Sequence, residues 1–301
     1  MSTWPRTVHP EKGVAASTGA SHERRIVDYY LQTEEHFRSM WNMDTDMALH
    51  YGFWIGGVRN HSQAVARMNQ ELADRLAVSS SDRVLDAGCG VGGTAIFLAK
   101  NYGCSVVGVN IVDRQLRIAA DNVRRHDAVD QVDLICTSFL NLGLADSSVS
   151  AILYIESACH AQVPEQLLRE AYRVLRPGGR IAVTSYFRGD RMLTEREEAF
   201  LRFWEEAWSM APLITVESFL DAMQRVGFRN ISQRDETRAI APSARRMYYL
   251  SYFGLAIKAV RRLWRRSTPK RFQNVRAARI QDQARRSGLW SYRIIVGQKE
   301  A

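Results

Sequence analysis

Residues 84–94 read Val-Leu-Asp-Ala-Gly-Cys-Gly-Val-Gly-Gly-Thr, and this stretch decides the fold of the chain. Its start is typical of the end of a buried strand, while residues 94–99 favour a helix. Between them stand three glycines at alternate positions, Gly88, Gly90 and Gly92. Because glycine has no Cβ, a ligand can lie close to the backbone of this turn. The amides at the start of the helix can then bind a carboxylate or a phosphate.

Strands and helices alternate along the chain after this turn. The later strands are predicted over residues 105–110, 132–137, 149–155, 180–186, 230–234 and 290–297. Amphipathic helices are predicted between them, and the sequence Arg-Pro-Gly-Gly at 176–179 predicts a stop before the fifth strand. This alternation predicts an α/β fold with a doubly wound, seven-stranded, mainly parallel sheet. The carboxyl ends of its strands are expected to carry the ligand.

The two ends of the chain depart from this alternation. Residues 1–20 contain Pro, Gly, Ser and Thr without periodicity, which predicts a mobile arm. Residues 21–60 are interpreted as N-terminal lid helices, although a helix that only packs on the domain would show the same apolar spacing. The main domain is predicted over residues 61–301, with helical insertions at about 190–226 and 240–288.

Composition limits the class of protein. Hydrophobic residues make up 46% of the 301, but no run approaches the ~20 apolar residues of a membrane span. Residues 1–20 lack the apolar centre of a signal peptide, and the four cysteines show no pair or metal spacing. We therefore expect a cytoplasmic protein with reduced thiols.

The net charge is +9, and much of the excess lies in a basic segment, residues 258–286. Such a segment is compatible with a solvated helix or with an anionic ligand. It is equally compatible with peripheral contact with a membrane surface or with a contact between copies in a homo-oligomer.

Four short motifs give the chain a family resemblance. The glycine turn, with Asp86 before it, resembles the first motif of the class I S-adenosylmethionine-dependent methyltransferases. The run Glu-Ser-Ala-Cys-His at 156–160 and the turn at 175–179 resemble the branch that contains sterol, tocopherol and prenyl C-methyltransferases. The aromatic segment at 50–54 also resembles this branch. The resemblance covers roughly residues 60–235 and implies a methyltransferase domain that uses S-adenosylmethionine.

The resemblance also implies where the cofactor lies. Its methionine end is assigned to the glycine turn, its ribose to the residues after the second strand and its adenine to those after the third. Asn110 stands where most members have an acid, with Gln115 as a second ribose contact, and Ser138 stands where many relatives have an adenine-binding Asp. The residues expected to bind the cofactor are Asp86, Gly88, Cys89, Gly90, Asn110, Ile111, Gln115, Ser138, Phe139 and Ile155.

Glu156 and His160 follow the fourth strand and are the candidate catalytic residues. Methylation of an alkene leaves a cation, which aromatic faces stabilise and from which a carboxylate or imidazole can remove a proton. Each candidate has a structural alternative: a strand-end carboxylate in solvent, a histidine at a helix start, or an aromatic residue of the core. The residues expected to contact substrate are Tyr30, Tyr51, Trp54, Trp204, Trp208 and Arg246.

Three function classes remain open at this stage. The first is C-methylation of an isoprenoid, either a prenyl diphosphate or a related lipophilic alkene. A diphosphate would bring Mg²⁺ bound mostly by phosphate oxygens, with Arg188, Arg245 and Arg246 as candidate partners. No protein metal site is expected. The second is O- or N-methylation of a small natural product. The third is an RNA-binding methyltransferase-like protein, but the fourth strand lacks a base-methylation motif, so we expect no nucleic-acid partner.

Overall fold

The structure is a computed structural model that describes the backbone of residues 18–262 and 269–301. Side chains are described over residues 21–252 and 273–301. The arm predicted over residues 1–20 therefore lies outside the described side chains, with only the backbone of 18–20 described. The basic segment, residues 258–286, is described in part.

Seven strands form one sheet. They are β1 Arg83–Ala87, β2 Ser105–Asn110, β3 Val132–Cys136, β4 Val149–Ile155, β5 Leu175–Arg188, β6 Phe228–Asp235 and β7 Trp290–Lys299. The strands lie in the order β3-β2-β1-β4-β5-β7-β6. The pairs from β3 to β5 are parallel, whereas β7 runs antiparallel to both of its neighbours. The predicted doubly wound, seven-stranded, mainly parallel sheet is confirmed.

Helices cover both faces of this sheet. They are α1 Thr18–Met40, α2 Met43–Asp46, α3 His61–Arg75, α4 Gly93–Tyr102, α5 Asp113–Arg125, α6 Pro164–Val174, α7 Glu195–Ala207, α8 Val216–Val226, α9 Ala241–Arg262 and α10 Pro269–Arg286. Neighbouring strand residues point to opposite faces, so Val84 and Leu85 of β1 belong to different cores. All seven residues of β4 are buried, as expected for a strand covered on both faces. The carboxyl end of β4 is thereby placed inside the protein.

The predicted stop before the fifth strand takes a different form. Helix α6 ends at Val174, and β5 begins at once at Leu175. Leu175 pairs with Val149, but the next pair joins Arg180 to Ala151, so the residues between them form an irregularity inside the strand. Gly178 has φ 73° there, which suits a residue without a Cβ. The expected turn is therefore a bulge within a longer strand.

The late helices fall close to the predicted insertions. Helices α7 and α8 occupy the first, and α9 and α10 the second. Helix α7 starts at a capping box, in which the Thr194 side chain and the Glu197 carboxylate each accept from the other's backbone N–H. The domain boundaries themselves stay a prediction. Within the described ranges, the helices are too short or too polar to cross a membrane.

Candidate active site

A cavity of about 360 Å³ lies at the carboxyl ends of β1 to β4. Helix α1 closes one side of it, and the loop at 47–50 closes another. The structure brings all the residues assigned to the cofactor to its walls, namely Asp86, Gly88, Cys89, Gly90, Asn110, Ile111, Gln115, Ser138, Phe139 and Ile155.

The glycine turn forms a cradle that side chains would fill. Gly88 has φ 93°, and a Cβ placed there would lie 2.4 Å from the Cβ of Ser157. Gly90 has φ 54°, and its Cβ would lie 3.2 Å from Cδ1 of Leu49. Beside the turn, the buried Oδ2 of Asp86 has no hydrogen-bond partner in the described part of the chain. Burial raises the pKa of Asp86 to about 7, against a backbone hydrogen bond from Ala95. An unpaired buried carboxylate oxygen of this kind suits the ammonium group of a ligand.

Two side-chain amides, those of Asn110 and Gln115, connect the carboxyl end of β2 to the start of α5. Asn110 Nδ2 donates to Gln115 Oε1 at 2.8 Å, and Asn110 Oδ1 accepts from Val112 N–H at 3.0 Å. An amide both donates and accepts, so this pair is suited to the two hydroxyls of a ribose.

At the end of β3, the cavity wall meets the lid helix. Ser138 Oγ donates to Glu23 Oε1 of α1 at 2.6 Å and accepts from the Leu140 N–H at 3.2 Å. Phe139 also lines the cavity, but its ring packs edge-on against Tyr154, with the centroids 5.8 Å apart. The Glu23 carboxylate of α1 therefore lies beside Ser138, the position after β3 where many relatives have an acid.

A second cavity, of about 40 Å³, shares part of its wall with the first. Four residues line both cavities, Tyr30, Leu49, Glu156 and His160. The two candidate catalytic residues therefore stand at the boundary between the larger cavity and an aromatic one. The smaller cavity is also lined by Phe37, Trp41, Tyr186 and Trp208.

Glu156 is held at this boundary by three donors. Its Oε1 accepts from the Tyr51 N–H at 2.8 Å and from the Tyr292 hydroxyl at 2.7 Å. Its Oε2 accepts from the Tyr186 hydroxyl. Glu156 is half-buried, and the exposed part of its side chain lines the two cavities. Desolvation raises its pKa to about 7, although the three donors act in the opposite direction.

The backbone of Glu156 is also unusual. Its φ of 51° lies in the left-handed region, which costs a residue with a Cβ roughly 1–2 kcal/mol. The peptide N–H of Glu156 still donates to Thr184 of β5, at 2.9 Å. The chain thus turns sharply after β4 while its start stays fixed to the sheet. Strain of this size at a cavity wall is typical of a functional position.

Burial favours the neutral form of His160, and its two partners fix which ring nitrogen carries the proton. Its Nδ1 donates to the Ser209 carbonyl at 2.9 Å, because a carbonyl oxygen can only accept. Its Nε2 therefore accepts from the Tyr30 hydroxyl, 3.0 Å away. Burial lowers the pKa of His160 to about 4. The imidazole can thus take a proton at Nε2 only in exchange for the hydrogen bond from Tyr30.

The residues expected to contact substrate divide into two groups. Tyr30 and Trp208 line the cavities, and the Tyr51 backbone holds Glu156 while its hydroxyl donates to Gln281. The structure does not bring Trp54, Trp204 or Arg246 to either cavity.

Each residue of this second group is engaged elsewhere. Trp54 donates its Nε1–H to Ser243 at 2.8 Å, and Trp204 is fully buried against Trp290. Arg246 donates to the Met40 carbonyl. Of the other arginines named for a diphosphate, Arg188 pairs with Glu198 at 3.0 Å, and Arg245 is exposed.

Several residues of the site could not be found from the sequence. Tyr186 and Tyr292 face each other across the antiparallel pair of β5 and β7, and this register brings both hydroxyls to Glu156. Glu23 and Leu49 reach the cavity from segments that precede the sheet. The local sequence of β7 or α1 predicts its secondary structure, but it does not predict which distant side chains that element will contact.

Comparisons with known proteins agree with this geometry. Residues 85–183 match a family model described as a methyltransferase domain. Methyltransferase GfsG from Streptomyces halstedii is 41% identical over 162 residues, which are 53% of this chain and 57% of that protein. A sterol 24-C-methyltransferase from Eremothecium gossypii is 32% identical over 229 residues, 73% of this chain and 60% of that protein. The chain thus spans less than two thirds of the length of either relative.

The crystal structure of the [4+2]-cyclase SpnF has a TM-score of 0.76 and 22% identity to this chain. The match covers 96% of this chain and 100% of that one, and it concerns the fold. The chain therefore contains a methyltransferase domain over residues 85–183, and it is similar to known methyltransferases over part of their length. A sterol 24-C-methyltransferase from Saccharomyces cerevisiae is likewise 32% identical over 176 residues, 56% of this chain and 45% of that protein.

Proposed function

We propose that the protein transfers a methyl group from S-adenosylmethionine to a carbon of an isoprenoid, either a prenyl diphosphate or a related lipophilic alkene. The observation that carries this proposal is the position of Glu156. Its carboxylate lies at the boundary between the larger cavity and the aromatic one, with a pKa near the physiological range. A group with such a pKa is well matched to proton abstraction at neutral pH.

Two observations support S-adenosylmethionine as the cofactor. A Cβ at Gly90 would enter the cavity wall 3.2 Å from Leu49, and Asp86 offers an unpaired buried oxygen for an ammonium group. The Asn110–Gln115 pair then faces the ribose, and the residues after β3 face the adenine. When bound, the cofactor supplies an electrophilic methyl group on a sulfonium.

The chain itself would align the acceptor and exclude water, which accounts for much of the rate in a displacement of this kind. The alkene π electrons form the new carbon–carbon bond as the carbon–sulfur bond breaks, and a cation remains on the acceptor. The rings of Tyr186 and Trp208 at the smaller cavity can stabilise that charge. The negative charge of the ionised Glu156 carboxylate also stabilises the cation.

The last step is loss of a proton from the carbon next to the cation. The C–H electron pair restores the double bond, and the proton passes to Glu156. Oε1 already accepts two hydrogen bonds, whereas Oε2 accepts one, from Tyr186. Oε2 therefore keeps a lone pair and is the oxygen that we assign as the proton acceptor.

A second candidate function is O- or N-methylation of a small natural product. The hydrogen bond between Tyr30 and His160 favours it, because an acceptor hydroxyl could replace the Tyr30 hydroxyl at Nε2. His160 would then be the base and Glu156 a neighbour of lesser importance. The two functions differ in the atom that receives the methyl group.

Incubation with methyl-¹³C S-adenosylmethionine and a panel of prenyl diphosphates and sterols, with and without Mg²⁺, tests both functions. Mass spectrometry identifies the acceptor by the gain of one methylene. The ¹³C chemical shift then distinguishes a carbon-bound methyl group, as proposed, from an oxygen- or nitrogen-bound one. A product labelled on oxygen or nitrogen would overturn the carbon assignment. A heat-denatured sample provides the control for transfer without enzyme.

A further inference from the structure

The adenine end of the cofactor site lacks the acid that the family resemblance leads one to expect. The parallel strands lie in the order β3-β2-β1-β4, so a ligand with its methionine end at β1 and its ribose at β2 has its base at β3. Ser138 lies two residues after the end of β3. Its single hydroxyl proton already goes to Glu23, and one of its lone pairs accepts from Leu140. Ser138 therefore keeps one lone pair for an adenine amino group, and its neutral hydroxyl lacks the charge of the expected acid.

Glu23 supplies the missing charge from another element. It lies on α1, lines the cavity and holds Ser138 through Oε1 at 2.6 Å. A carboxylate has about four lone-pair sites, so Glu23 can keep Ser138 and accept a further hydrogen bond. Because Glu23 is half-buried, that bond would form where competition from water is reduced.

The position of Glu23 is fixed by neighbours on the same helix. One turn away, Ile26 is buried in the cavity wall. His22 Nε2 donates to the His160 carbonyl at 2.9 Å, and the Tyr30 hydroxyl meets the imidazole of His160. These contacts tie α1 to the segment after β4 while Glu23 reaches the end of β3. The carboxylate is thereby held over the base end of the cavity before a ligand enters.

We propose that Glu23 is the adenine-recognising acid of this protein, accepting a hydrogen bond from the exocyclic amino group of the cofactor. The inference rests on the proposed S-adenosylmethionine site. It assigns recognition of the adenine to a residue of α1, a helix that precedes the sheet. It also means that the lid helix takes part in cofactor binding, so α1 is fastened more firmly when the cofactor is present.

Calorimetry with S-adenosylhomocysteine and S-inosylhomocysteine tests the inference. The inosyl ligand carries a carbonyl oxygen where adenine carries the amino group, so a carboxylate there should reject it. The wild-type protein should prefer the adenosyl ligand. Glu23→Ala should weaken adenosyl binding by about 10- to 100-fold, the usual effect of losing a hydrogen bond to a charged group. Inosyl binding should strengthen, because the carboxylate that repels its carbonyl oxygen is gone, so the preference collapses. Glu23→Gln, whose amide can donate to the carbonyl, should shift the preference towards the inosyl ligand.

Two further variants separate recognition from a structural role. Ser138→Ala removes the contact with Glu23 but leaves the carboxylate, so the preference for adenine should persist. Asp28→Asn, an exposed change on the same helix, should alter neither affinity. If Glu23→Ala weakens both ligands equally, or changes neither, or if the wild type shows no preference, the assignment of Glu23 is overturned. If the wild-type protein binds neither ligand, the proposed cofactor site fails as well.

Discussion

The carboxylate of Glu156 receives hydrogen bonds from groups that are far apart in the sequence, the Tyr51 N–H and the hydroxyls of Tyr186 and Tyr292. Desolvation favours its protonated form, and these donors favour its charged form. The resulting pKa of about 7 is a balance between the two. Changing either side of the balance should therefore move the pH at which the site works.

Tyr186→Phe should shift the pH dependence of turnover. The phenyl ring fills the same space but removes the donor to Oε2, so the pKa of Glu156 rises further. We expect the midpoint of the pH–rate profile to move up by roughly one unit, with unchanged affinity for S-adenosylhomocysteine. Tyr248→Phe, which removes a hydroxyl bonded to Tyr252, is the matched control. A lower rate at every pH with an unmoved midpoint would show that Tyr186 acts on packing alone.

The same balance has a consequence for stability. The raised pKa means that folded Glu156 keeps a proton between its ordinary value and about 7, where the unfolded chain has lost it. The free energy of unfolding should therefore fall as the pH rises through this window. Glu156→Gln carries no such proton, so its stability relative to wild type should increase between pH ~5 and pH ~8. Urea denaturation at both pH values measures this, and a constant difference between the two proteins would contradict it.

At the scale of the element, the turn between β1 and α4 is the part on which the proposed cofactor site depends. The cradle depends on backbone conformations that residues with a Cβ rarely adopt, at Gly88 and Gly90. Leu49 closes the cradle from the loop after α2, so space above Gly90 is limited. A side chain at this position would occupy space that the proposed cofactor needs.

Gly90→Val should abolish binding of S-adenosylmethionine, because the branched side chain meets Leu49 and occupies the cavity wall. Gly143→Val is the control, since Gly143 has a similar φ of 65° but open space around it. Both variants carry backbone strain, and only the first fills the cradle. Calorimetry on folded protein should show binding by the control alone. Near-normal affinity in Gly90→Val would remove the turn from the cofactor site.

The sequence predicts elements better than it predicts contacts between them. The limits of β2 and β4 follow from their apolar runs, and they match the structure to the residue. The start of β5 does not, because pairing with β4 extends the strand through a Pro-Gly-Gly sequence that locally favours a turn. Pairing is a tertiary interaction, and no local pattern records it.

The site shows the same limit. Residues next to the ends of β1 to β4 could be assigned to the cavity, since the topology of a parallel sheet brings these ends together. Trp54 and Trp204 have the aromatic character of pocket residues, yet they lie outside both cavities: Trp204 belongs to the core, and Trp54 is hydrogen-bonded to Ser243. Tyr292 lies 136 positions from Glu156, and only the register of β5 and β7 brings them together.

At the scale of the whole molecule, α10 joins the lid to the core. Its Asn274 accepts from the Tyr29 hydroxyl of α1 at 3.3 Å, and its Gln281 accepts from the Tyr51 hydroxyl. Arg279 and Arg286 lie over the rings of Tyr252 and Tyr248, at 4.7 and 5.9 Å from the centroids. One side of α10 thus stabilises the architecture around the cavity, and basic residues on the same helix pack against aromatic rings of α9.

The basic segment should be dispensable for the cofactor. Its Arg261, Arg262, Arg265 and Arg266 have side chains outside the described residues. Neutralising all four should leave the affinity for S-adenosylhomocysteine unchanged and reduce any binding to vesicles of anionic lipid, which depends on charge. Calorimetry and vesicle sedimentation measure the two effects. Loss of cofactor affinity in a folded variant would place this segment in the cofactor site.

The central claim is that Glu156 acts as the base, and single-turnover measurement of Glu156→Gln on the identified acceptor tests it most directly. The amide keeps the shape of the carboxylate but cannot take the proton. We predict a loss of roughly 10²-fold or more in turnover, the range usual for a missing general base, with cofactor affinity little changed. The wild-type rate should fall as the pH drops below about 7, where Glu156 is protonated. Near-full turnover in Glu156→Gln would contradict the account and favour a nucleophile that needs no carboxylate.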